Sequence, residues 1–377
     1  FLASTVLGCE SLYEPQSFEI EEVGIYRADS LEEPPPQQEP IRLRAMTWNI
    51  KYAAARIPFW FDCWGDRVKM TPKEVTANMA QIYALISEAD PDILMAQEVE
   101  INSRRSAYFN MVQGILNHTS LNYAAYFEGW NSRYIPSEGL GRMNLGTVIF
   151  SKYPIAKAQR IKQANRTDQD ALTNAFYIKR AIGHAEISVT DSTNVAALVV
   201  HTEAYDEDGT KKKHIEQLYQ IATTQNLPTL LGGDFNELPP TALQTESFFD
   251  DRRTPVCGDD YKAPPYSPEL LQPFFDTMQS AISLEQFGTT QESQKRFFTH
   301  SILGPDEENE NGETGFWSRT LDYLFVTDGS WVKGSTDVLQ TTGQKIGGVQ
   351  GEGPVLQSDP LRLSDHAPVI GVWELSQ

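Results

Sequence analysis

The amino-acid sequence predicts a folded protein of the α/β or α+β class. Short, almost continuously apolar segments recur along the 377 residues, as expected for strands buried inside a layered structure. Between two of them lies a longer segment with the apolar spacing of an amphipathic helix. The composition, 40% hydrophobic and 11% aromatic, supplies a large core and excludes a chain that is disordered throughout.

The charge balance restricts the function classes. The chain has 51 acidic residues against 31 Lys and Arg, a net charge of −20, which excludes a generic basic nucleic-acid-binding module. No run of 18 or more apolar residues is present, so no membrane-spanning helix is predicted. The motifs described below extend from Asn49 to His366 and indicate one domain over residues 41–377.

The first 40 residues differ in character from the rest. Residues 1–9, FLASTVLGC, are similar to the end of a secretory leader and the lipobox of bacterial lipoproteins. This pattern predicts a lipidated Cys9 and an extracytoplasmic protein that a lipid holds to the membrane, in the periplasm or on the cell surface. A secreted protein, or a chance apolar segment around a buried or free cysteine, is the alternative. Residues 10–40 are acidic and proline-containing, which is typical of a spacer.

Two further cysteines, Cys63 and Cys257, could form a disulfide in an oxidising compartment. Their sequence positions alone do not establish that they meet.

A helix is predicted after a first strand over residues 41–50. Thr71-Pro-Lys-Glu74 supplies an N-cap residue, a proline at the first helical position and a capping-box glutamate. An apolar stripe follows at spacings of four, three and four residues, and Asp90-Pro91 ends the pattern. The members of the stripe are Val75, Met79, Ile82 and Ile86.

Further strands and some surface segments are predicted from apolar runs and from composition. The strands cover residues 93–96, 145–150, 195–200, 227–231, 321–326 and 369–373. Surface insertions are expected at residues 129–142, 250–273 and the acidic 304–315. The basic triplet at residues 211–213 is interpreted as the solvated start of a helix.

Polar side chains stand at or beside the ends of these predicted strands. Each has an ordinary explanation when it is taken singly, because Asn and Asp are common in turns and a single His is usually structural. Together they form an acid, amide and imidazole set at six strand ends, where side chains from distant segments converge in layered α/β proteins. The set comprises Asn49, Glu98, His201, Asp234, Asn236, Asp322, Asp365 and His366.

These residue types suit the hydrolysis of a phosphoester. A hard cation neutralises the phosphate, and carboxylate oxygens favour magnesium or manganese, with calcium as another option. Zinc is disfavoured because no cysteine pair or close histidine pair has its usual ligand spacing. An Asp can deprotonate water, and a His held by a carboxylate can stabilise charge or donate a proton.

Seven motifs in sequence order resemble those of the endonuclease/exonuclease/phosphatase superfamily. They are TWNI at 47–50, QEV at 97–99, GTVIFS at 146–151, VHT at 200–202, GGDFN at 232–236, LDY at 321–323 and SDHAP at 364–368. The resemblance covers roughly residues 41–375. It implies a four-layered α/β/β/α sandwich of two packed mixed sheets with helices outside, a divalent-metal-dependent phosphoesterase, and a site at one edge of the sandwich.

The resemblance also implies a role for each residue. Glu98 corresponds to the principal metal ligand, with Asn49 and Asp365 on the metal side. Asp234 would orient or deprotonate water, Asn236 would bind phosphate oxygens, and His201 would act near the leaving group or the phosphate. His366, oriented by Asp322, would contact the phosphate. Arg180 is similar to a substrate-binding arginine, although a surface salt bridge is an alternative. His300 is also predicted to bind substrate, but it stands where many relatives have tryptophan, which leaves its exact role open.

The superfamily resemblance does not choose the substrate. Dense Lys and Arg clusters are few, and the acidic insertion at residues 304–315 would repel a long polyanion, which favours a small or lipid-linked phosphoester as the partner. A nuclease acting on DNA or RNA is the alternative. The aromatic segment at residues 58–64 is expected either to form a wall or interfacial anchor at the site or to pack beneath its own loop. A non-catalytic binding lipoprotein is a further alternative, against which the intact polar set argues.

Overall fold

The structure is a computed structural model that describes residues 20–34, 36–60, 65–248, 264–308, 314–347 and 353–376. In these ranges, two mixed β-sheets pack face to face and helices cover their outer faces. The predicted α/β sandwich of four layers is therefore confirmed. No helix within these ranges has both the length and the apolar character needed to cross a membrane.

The first sheet carries the N-terminal part of the site. Its strands in spatial order are β13 (Ser330–Trp331), β15 (Val369–Glu374), β3 (Arg42–Asn49), β4 (Ile93–Glu100), β6 (Gly141–Ser151), β5 (Tyr123–Ile135) and β2 (Ile25–Arg27), with β14 (Asp337–Val338) also paired to β15. Strands β3 and β4 are parallel, whereas β15 pairs antiparallel with β3.

The second sheet carries the rest of the site. Its strands in spatial order are β1 (Ile20–Glu22), β7 (Ile155–Lys162), β8 (Ala181–Ser188), β9 (Asn194–His201), β10 (Thr229–Asp234), β12 (Asp322–Val326) and β11 (Gln279–Ser280). Strands β9 and β10 are parallel, and β12 runs antiparallel to β10.

The helices connect these strands. They are α1 (Pro72–Ala89), α2 (Met111–His118), α3 (Ala171–Phe176), α4 (Thr210–Thr223), α5 (Gln272–Thr277), α6 (Leu284–Phe287), α7 (Gln291–Lys295) and α8 (Pro360–Leu363). Helix α1 begins as predicted, because the Thr71 side chain accepts from the Glu74 N–H and the Glu74 carboxylate accepts from the Thr71 N–H. It ends at Ala89, followed by Asp90 in a left-handed conformation.

Three apolar clusters define the layers. The stripe of α1 packs with Trp48, Leu94 and Phe150 on the outer face of the first sheet. The residues between the sheets include Leu43 and Leu230. Helices α4 and α5 cover the second sheet through a cluster that contains Ile215, Leu218, Phe274, Leu198 and Phe325. Burial of these faces supplies the main stabilisation of the fold.

Two sequence expectations differ from the structure. Strands β1 and β2 lie within residues 10–40, which were expected to form a spacer, and they pair with β7 and β5. Residues 129–142 are not a separate surface insertion, because the ladder of β5 and β6 extends to the pair Ile135–Gly141 and a short 3₁₀ turn (Ser137–Gly139) joins the two strands, with Ile135 and Leu140 buried. Cys9, Cys63, Cys257 and parts of the other two insertions lie outside the described residues.

The pairing of the strands places the site at one edge of the sandwich. Asn49 ends β3, Glu98 lies near the end of β4, and His201 and Asp234 end β9 and β10. Asp322 begins the antiparallel β12 directly opposite Asp234. Because parallel strands end at the same edge of a sheet, this topology brings the polar residues together.

Buried His214 joins α4 to two loops of the second sheet. Its Nδ1 accepts from the Glu203 N–H at 3.3 Å, and its Nε2 lies 2.7 Å from the Ala164 carbonyl oxygen. This geometry requires a neutral imidazole with the proton on Nε2. Burial lowers the pKa of His214 to about 4, a shift that the carbonyl of Ala164 only partly offsets.

His214 should make the stability of the fold depend on pH. In the unfolded chain the pKa is about 6.5, so the unfolded state binds more protons than the folded state between pH 6.5 and 4. The contribution of His214 is complete above pH 6.5, and roughly 3 kcal/mol should be lost as the pH falls to 4. Urea unfolding at several pH values should give a shallower acid decline for His214→Gln than for the wild type.

The exposed His118 supplies the matched control, and His118→Gln should keep the wild-type pH dependence. Parallel pH profiles for the wild type and His214→Gln would refute the assignment.

Candidate active site

An unbroken series of polar contacts links the two sheets at the site edge. Asp322 Oδ2 lies 2.8 Å from His366 Nδ1, and His366 Nε2 lies 3.6 Å from Asp234 Oδ2. The amide of Asn49 donates to Asp234 Oδ2 at 3.1 Å and to Glu98 Oε1 at 3.3 Å. Residues that are far apart in sequence therefore meet in one cluster, as predicted from the strand ends.

His201 faces the same cluster from the end of β9. Its Nε2 lies 3.4 Å from Asp234 Oδ2 and 4.0 Å from Glu98 Oε1. Burial, reinforced by the positive charges of Arg180 and His366, holds the pKa of His201 well below its usual range. His201 is therefore neutral at physiological pH.

Irregular backbone positions aim these side chains. Glu98 adopts φ +57° where the register of β4 against β6 shifts between Ala96 and Val99. Such a bulge re-aims a side chain and is common beside active sites. A non-glycine residue in the left-handed region carries strain that the surrounding structure has to offset.

The Gly-Gly-Asp-Phe-Asn segment forms a tight turn at the end of β10. Gly233 has φ +149°, and a side chain there would collide with the backbone of Val200. Beyond it, the Asn236 N–H donates to Asp234 Oδ1 at 2.9 Å, which fixes the Asp234 carboxylate. The Asn236 side-chain amide donates to the Thr202 carbonyl at 3.1 Å. Asp234 is thus held by its own turn.

Asp365 has a lysine partner that the sequence analysis did not foresee. Its Oδ2 lies 3.1 Å from Lys51 Nζ, and both side chains are largely buried. Burial would raise the pKa of Asp365, but Lys51, followed by His366, outweighs it and holds the pKa well below its usual range. Asp365, which was expected on the metal side of the site, therefore forms an ion pair with Lys51.

Electrostatics separate the protonation states within the cluster. Burial would lower the pKa of His366, but Asp322 and Asp234 outweigh this effect and raise the pKa to about 10. Burial raises the pKa of Asp234, whereas His366 acts in the opposite direction. Burial and then Asp365 raise the pKa of Glu98. A positively charged imidazole therefore stands between two carboxylates at neutral pH.

The donor set fits a divalent cation. Ligand atoms of Asp234, Asp322 and His366 lie within 4.8 Å of one another, and because a protonated His366 cannot bind a metal ion, the two carboxylates are the donors of this group. Asp322 Oδ1 is buried without a hydrogen-bond partner. Glu98 adds carboxylate oxygens beside Asp234, as hard cations require, and the Asn49 amide nitrogen donates to both carboxylates while its Oδ1 accepts from the Lys51 N–H at 3.0 Å. The raised pKa of Glu98 indicates that a positive charge beside it would relieve the repulsion from Asp365.

The cluster opens into a cavity of about 850 Å³. Arg180 and His300 both line it, so the structure brings these two predicted substrate-binding residues to the site. The Arg180 side chain is only 10% exposed and lies 4.0 Å from Glu203, which does not fit a surface salt bridge. Trp60 forms part of the cavity wall, whereas Phe59 is buried against Tyr52, so both expectations for the aromatic loop hold in part.

Glu203 is a site residue that the sequence analysis missed. It is 1% exposed and accepts from the Tyr177 hydroxyl at 2.8 Å, while Arg166 lies 3.6 Å away and Arg180 lies 4.0 Å away. It therefore holds together the wall of the cavity beside His201. Its position two residues after His201 was the sequence feature that could have indicated its place at the site.

Lys211 corrects the interpretation of the basic triplet as a solvated helix start. Lys212 and Lys213 are exposed, but Lys211 is 4% exposed and its ammonium donates to the Asn236 carbonyl at 2.9 Å. The signal was its spacing, since Lys211 lies on the same face of α4 as Ile215 and Leu218.

The fold and the site define the class of this protein as an α/β sandwich with an acid, amide and imidazole site at one edge. The chain belongs to the Endonuclease/Exonuclease/phosphatase family, whose sequence profile matches residues 46–366. The family includes nucleases, phosphatases and phosphodiesterases, and its members are typically hydrolytic and generally depend on a divalent metal.

Solved structures of low sequence identity resemble the chain. The human Nocturnin catalytic domain with bound sulfate has 16% identity and a TM-score of 0.49, with 90% of this chain and 96% of that chain covered. A family protein from Leptotrichia buccalis has 12% identity and a TM-score of 0.48, with 89% and 100% covered. One from Beutenbergia cavernae has 17% identity and a TM-score of 0.46, with 89% and 72% covered. No curated protein matches the chain.

The contact between His366 and Asp322 gives a direct test of the site electrostatics. Asp322→Asn should lower the pKa of His366 by about 1–3 pH units, because a neighbouring carboxylate stabilises the charged imidazole by that amount. Histidine ¹⁵N NMR of the metal-free protein would measure the change. The exposed variant Asp191→Asn should leave the value in place, and an unaltered His366 pKa in Asp322→Asn would contradict the assignment.

Proposed function

We propose that this protein is a divalent-metal-dependent hydrolase of small or lipid-linked phosphoesters. The observation that carries the proposal is the unbroken series of contacts from Asp322 through His366, Asp234 and Asn49 to Glu98, which opens into a single cavity. These groups could together bind a cation, accept a proton from water and stabilise charge on a phosphoryl group.

The geometry supports a hydrolytic mechanism with separate tasks for each residue. Asp234, fixed by the Asn236 N–H, would take a proton from water as the water oxygen bonds to phosphorus and the ester P–O bond breaks. His366, held by Asp322, would donate through Nε2 to the phosphoryl group. Neutral His201 is placed to hydrogen-bond the departing oxygen or the phosphate.

Glu98, next to Asp234, would hold the cation, and Asn49 would position both carboxylates through its amide N–H groups. When bound, a magnesium or manganese ion would neutralise negative charge on the phosphate and the leaving oxygen. The Asp365 carboxylate, paired with Lys51, would add to the negative field that attracts this ion.

The cavity supports a small substrate over a long polyanion. Its described lining contains equal numbers of basic and acidic residues, although the whole chain carries a net charge of −20. The basic residues are Lys51, Arg105, Arg166, Arg180 and Arg319, and the acidic residues are Glu98, Asp168, Glu207, Asp234 and Asp365. Aromatic residues such as Trp60 and Trp130 add surfaces for an apolar or ring-bearing group.

Hydrolysis of bis-p-nitrophenyl phosphate tests the reaction. We expect activity with magnesium or manganese and its loss with a chelator. Asp234→Asn and His366→Ala should each lower kcat by at least about 100-fold, since each removes a group that acts in the transition state. Circular dichroism would verify folding, and Asp191→Asn would serve as the surface control. Full activity in the presence of chelator would refute the metal-dependent reaction.

A nuclease remains the alternative, and the same preparation would distinguish it. Plasmid nicking over a salt series should be weak at physiological salt if the substrate is small. Robust cleavage there, exceeding the rate on a panel of phosphorylated lipids, nucleotides and inositol phosphates, would favour the nuclease.

We further propose that the protein acts outside the cytoplasm as a bacterial lipoprotein. The support is the lipobox-like sequence that ends at Cys9. Mass spectrometry of the protein from its native membrane should find a diacylglyceryl group on Cys9, and Cys9→Ser should release the protein from the membrane fraction. An unmodified cysteine in an uncleaved native chain would remove the anchor from the proposal.

A further inference from the structure

His300 is held beside the reacting groups by its backbone. Its N–H donates to the Arg319 carbonyl at 2.9 Å, and its carbonyl accepts from the Ser318 N–H at 2.8 Å. On the other side, its backbone forms an isolated antiparallel bridge with His366. Main-chain pairing therefore fixes the backbone of His300 next to that of His366.

The two ring nitrogens of His300 have different surroundings. The His300 and His366 ring centroids lie 4.6 Å apart with an interplanar angle of 67°. Nδ1 is buried and has no hydrogen-bond partner. The residue is half-buried and lines the cavity, so the accessible nitrogen is Nε2. One edge of the imidazole is thus enclosed and the other faces the substrate space.

The enclosed surroundings of Nδ1 favour one tautomer. A proton on Nδ1 would leave a buried N–H without an acceptor, and orphaned buried N–H groups are rarer in proteins than under-satisfied acceptors. Burial, followed by the positive charges of His366 and Arg319, holds the pKa of His300 well below its usual range, so the imidazole is neutral and carries one proton. The tautomer with its proton on Nε2 leaves no buried N–H unpaired and presents an N–H to the cavity.

We propose that His300 is a substrate-binding residue whose Nε2–H donates a hydrogen bond to a non-bridging oxygen of the substrate phosphoryl group. This inference rests on the proposed phosphoesterase function and adds a third histidine to the phosphate-binding wall, next to His366. The donor is neutral, so it binds an oxygen without adding a further full charge to the cluster. The proposed hydrogen bond means that the phosphoryl group would be bound on two sides, by the histidines on the His366 side of the cavity and by the cation on the other.

Three variants separate the position of the donor from the mere presence of a side chain. In His300→Gln the amide nitrogen lies near the position of Nε2, in His300→Asn it lies nearer Nδ1, and in His300→Phe no donor remains. Inorganic phosphate is the probe, titrated calorimetrically into the full chain with magnesium present. We expect His300→Phe and His300→Asn to weaken phosphate binding about 10-fold and His300→Gln to stay within about 3-fold of the wild type.

The exposed variant His118→Phe is the matched control and should bind phosphate like the wild type. Equal phosphate affinity in His300→Phe and the wild type would overturn the inference, and so would equal losses in the Gln and Phe variants. If these results accompany normal hydrolysis of bis-p-nitrophenyl phosphate, the proposed function stands and only the role of His300 fails. A wild type that neither binds phosphate nor hydrolyses the ester would overturn both.

A measurement without substrate tests the tautomer directly. Long-range ¹H–¹⁵N correlation spectra of the histidine-labelled protein distinguish Nδ1–H from Nε2–H imidazoles, and His300→Gln identifies the signal among the six histidines. We expect the proton on Nε2. A proton on Nδ1 would overturn the inference whatever the outcome of the binding experiments.

Discussion

The burial of several carboxylates at one edge of a β-sandwich is the constraint on which the site depends. Glu98, Asp234, Asp322 and Asp365 occupy the same cluster, where their mutual repulsion and the loss of water would each be costly. Positive groups offset this cost unevenly. Lys51 forms an ion pair with Asp365, and His366 lies between Asp322 and Asp234 and interacts with both.

Among the described residues, Glu98 has no lysine or imidazole partner as close as those of Asp365 and Asp322. It receives one hydrogen bond from Asn49 at 3.3 Å, and burial and Asp365 raise its pKa although Arg105 and His366 act in the opposite direction. A carboxylate in such surroundings favours a positive charge beside it more strongly than one that already has a lysine or imidazole partner. The distribution of partners therefore favours a cation beside the Glu98 carboxylate.

Topology explains why these residues meet, and local backbone explains their aim. Parallel pairs β3–β4 and β9–β10 end at the same edge, and antiparallel β12 begins there. Regular strands alone would not aim Glu98 correctly, because the bulge in β4 changes its direction. The glycines before Asp234 allow close strand contact, and the turn at Asn236 then fixes the carboxylate. Rigid strands thus position the residues and strained turns refine them.

Local signals explain what the sequence could predict. Helix α1 carries its own capping box and apolar stripe, and the strands that hold the site are continuous apolar runs, so both were found. Strand β7 alternates buried and exposed residues with several charges, and β1 and β2 have three residues each, too few for a periodic signal. The edge strands β1 and β2 form because β7 and β5 offer them backbone partners.

The site residues also divide into those that local sequence patterns predict and those that they do not. Residues in strand-end motifs were found, whereas Glu203, Lys51 and Lys211 owe their roles to neighbours that are distant in sequence. Lys211 shows the difficulty most clearly, because a lysine on the inner face of a helix resembles an exposed one until the carbonyl of Asn236 is seen to receive it. Sequence patterns identify which groups carry chemistry more readily than they identify the groups that hold them.

The charge inside the cavity differs from the charge of the whole chain, and this difference limits the size of the substrate. A long polyanion would extend beyond the cavity and meet a protein whose net charge is −20, with repulsion that salt screens only beyond about 8–10 Å. A single phosphoester that fits within about 850 Å³ would meet arginines, a charged His366 and a cation, and would leave the acidic surface in water. The same cavity walls carry tryptophan and tyrosine rings, which would bind the non-phosphate part of such a molecule through its apolar surface. Because the positive groups lie inside the cavity, with apolar surface around them and an acidic protein outside, the site favours a compact phosphoester over a polymer.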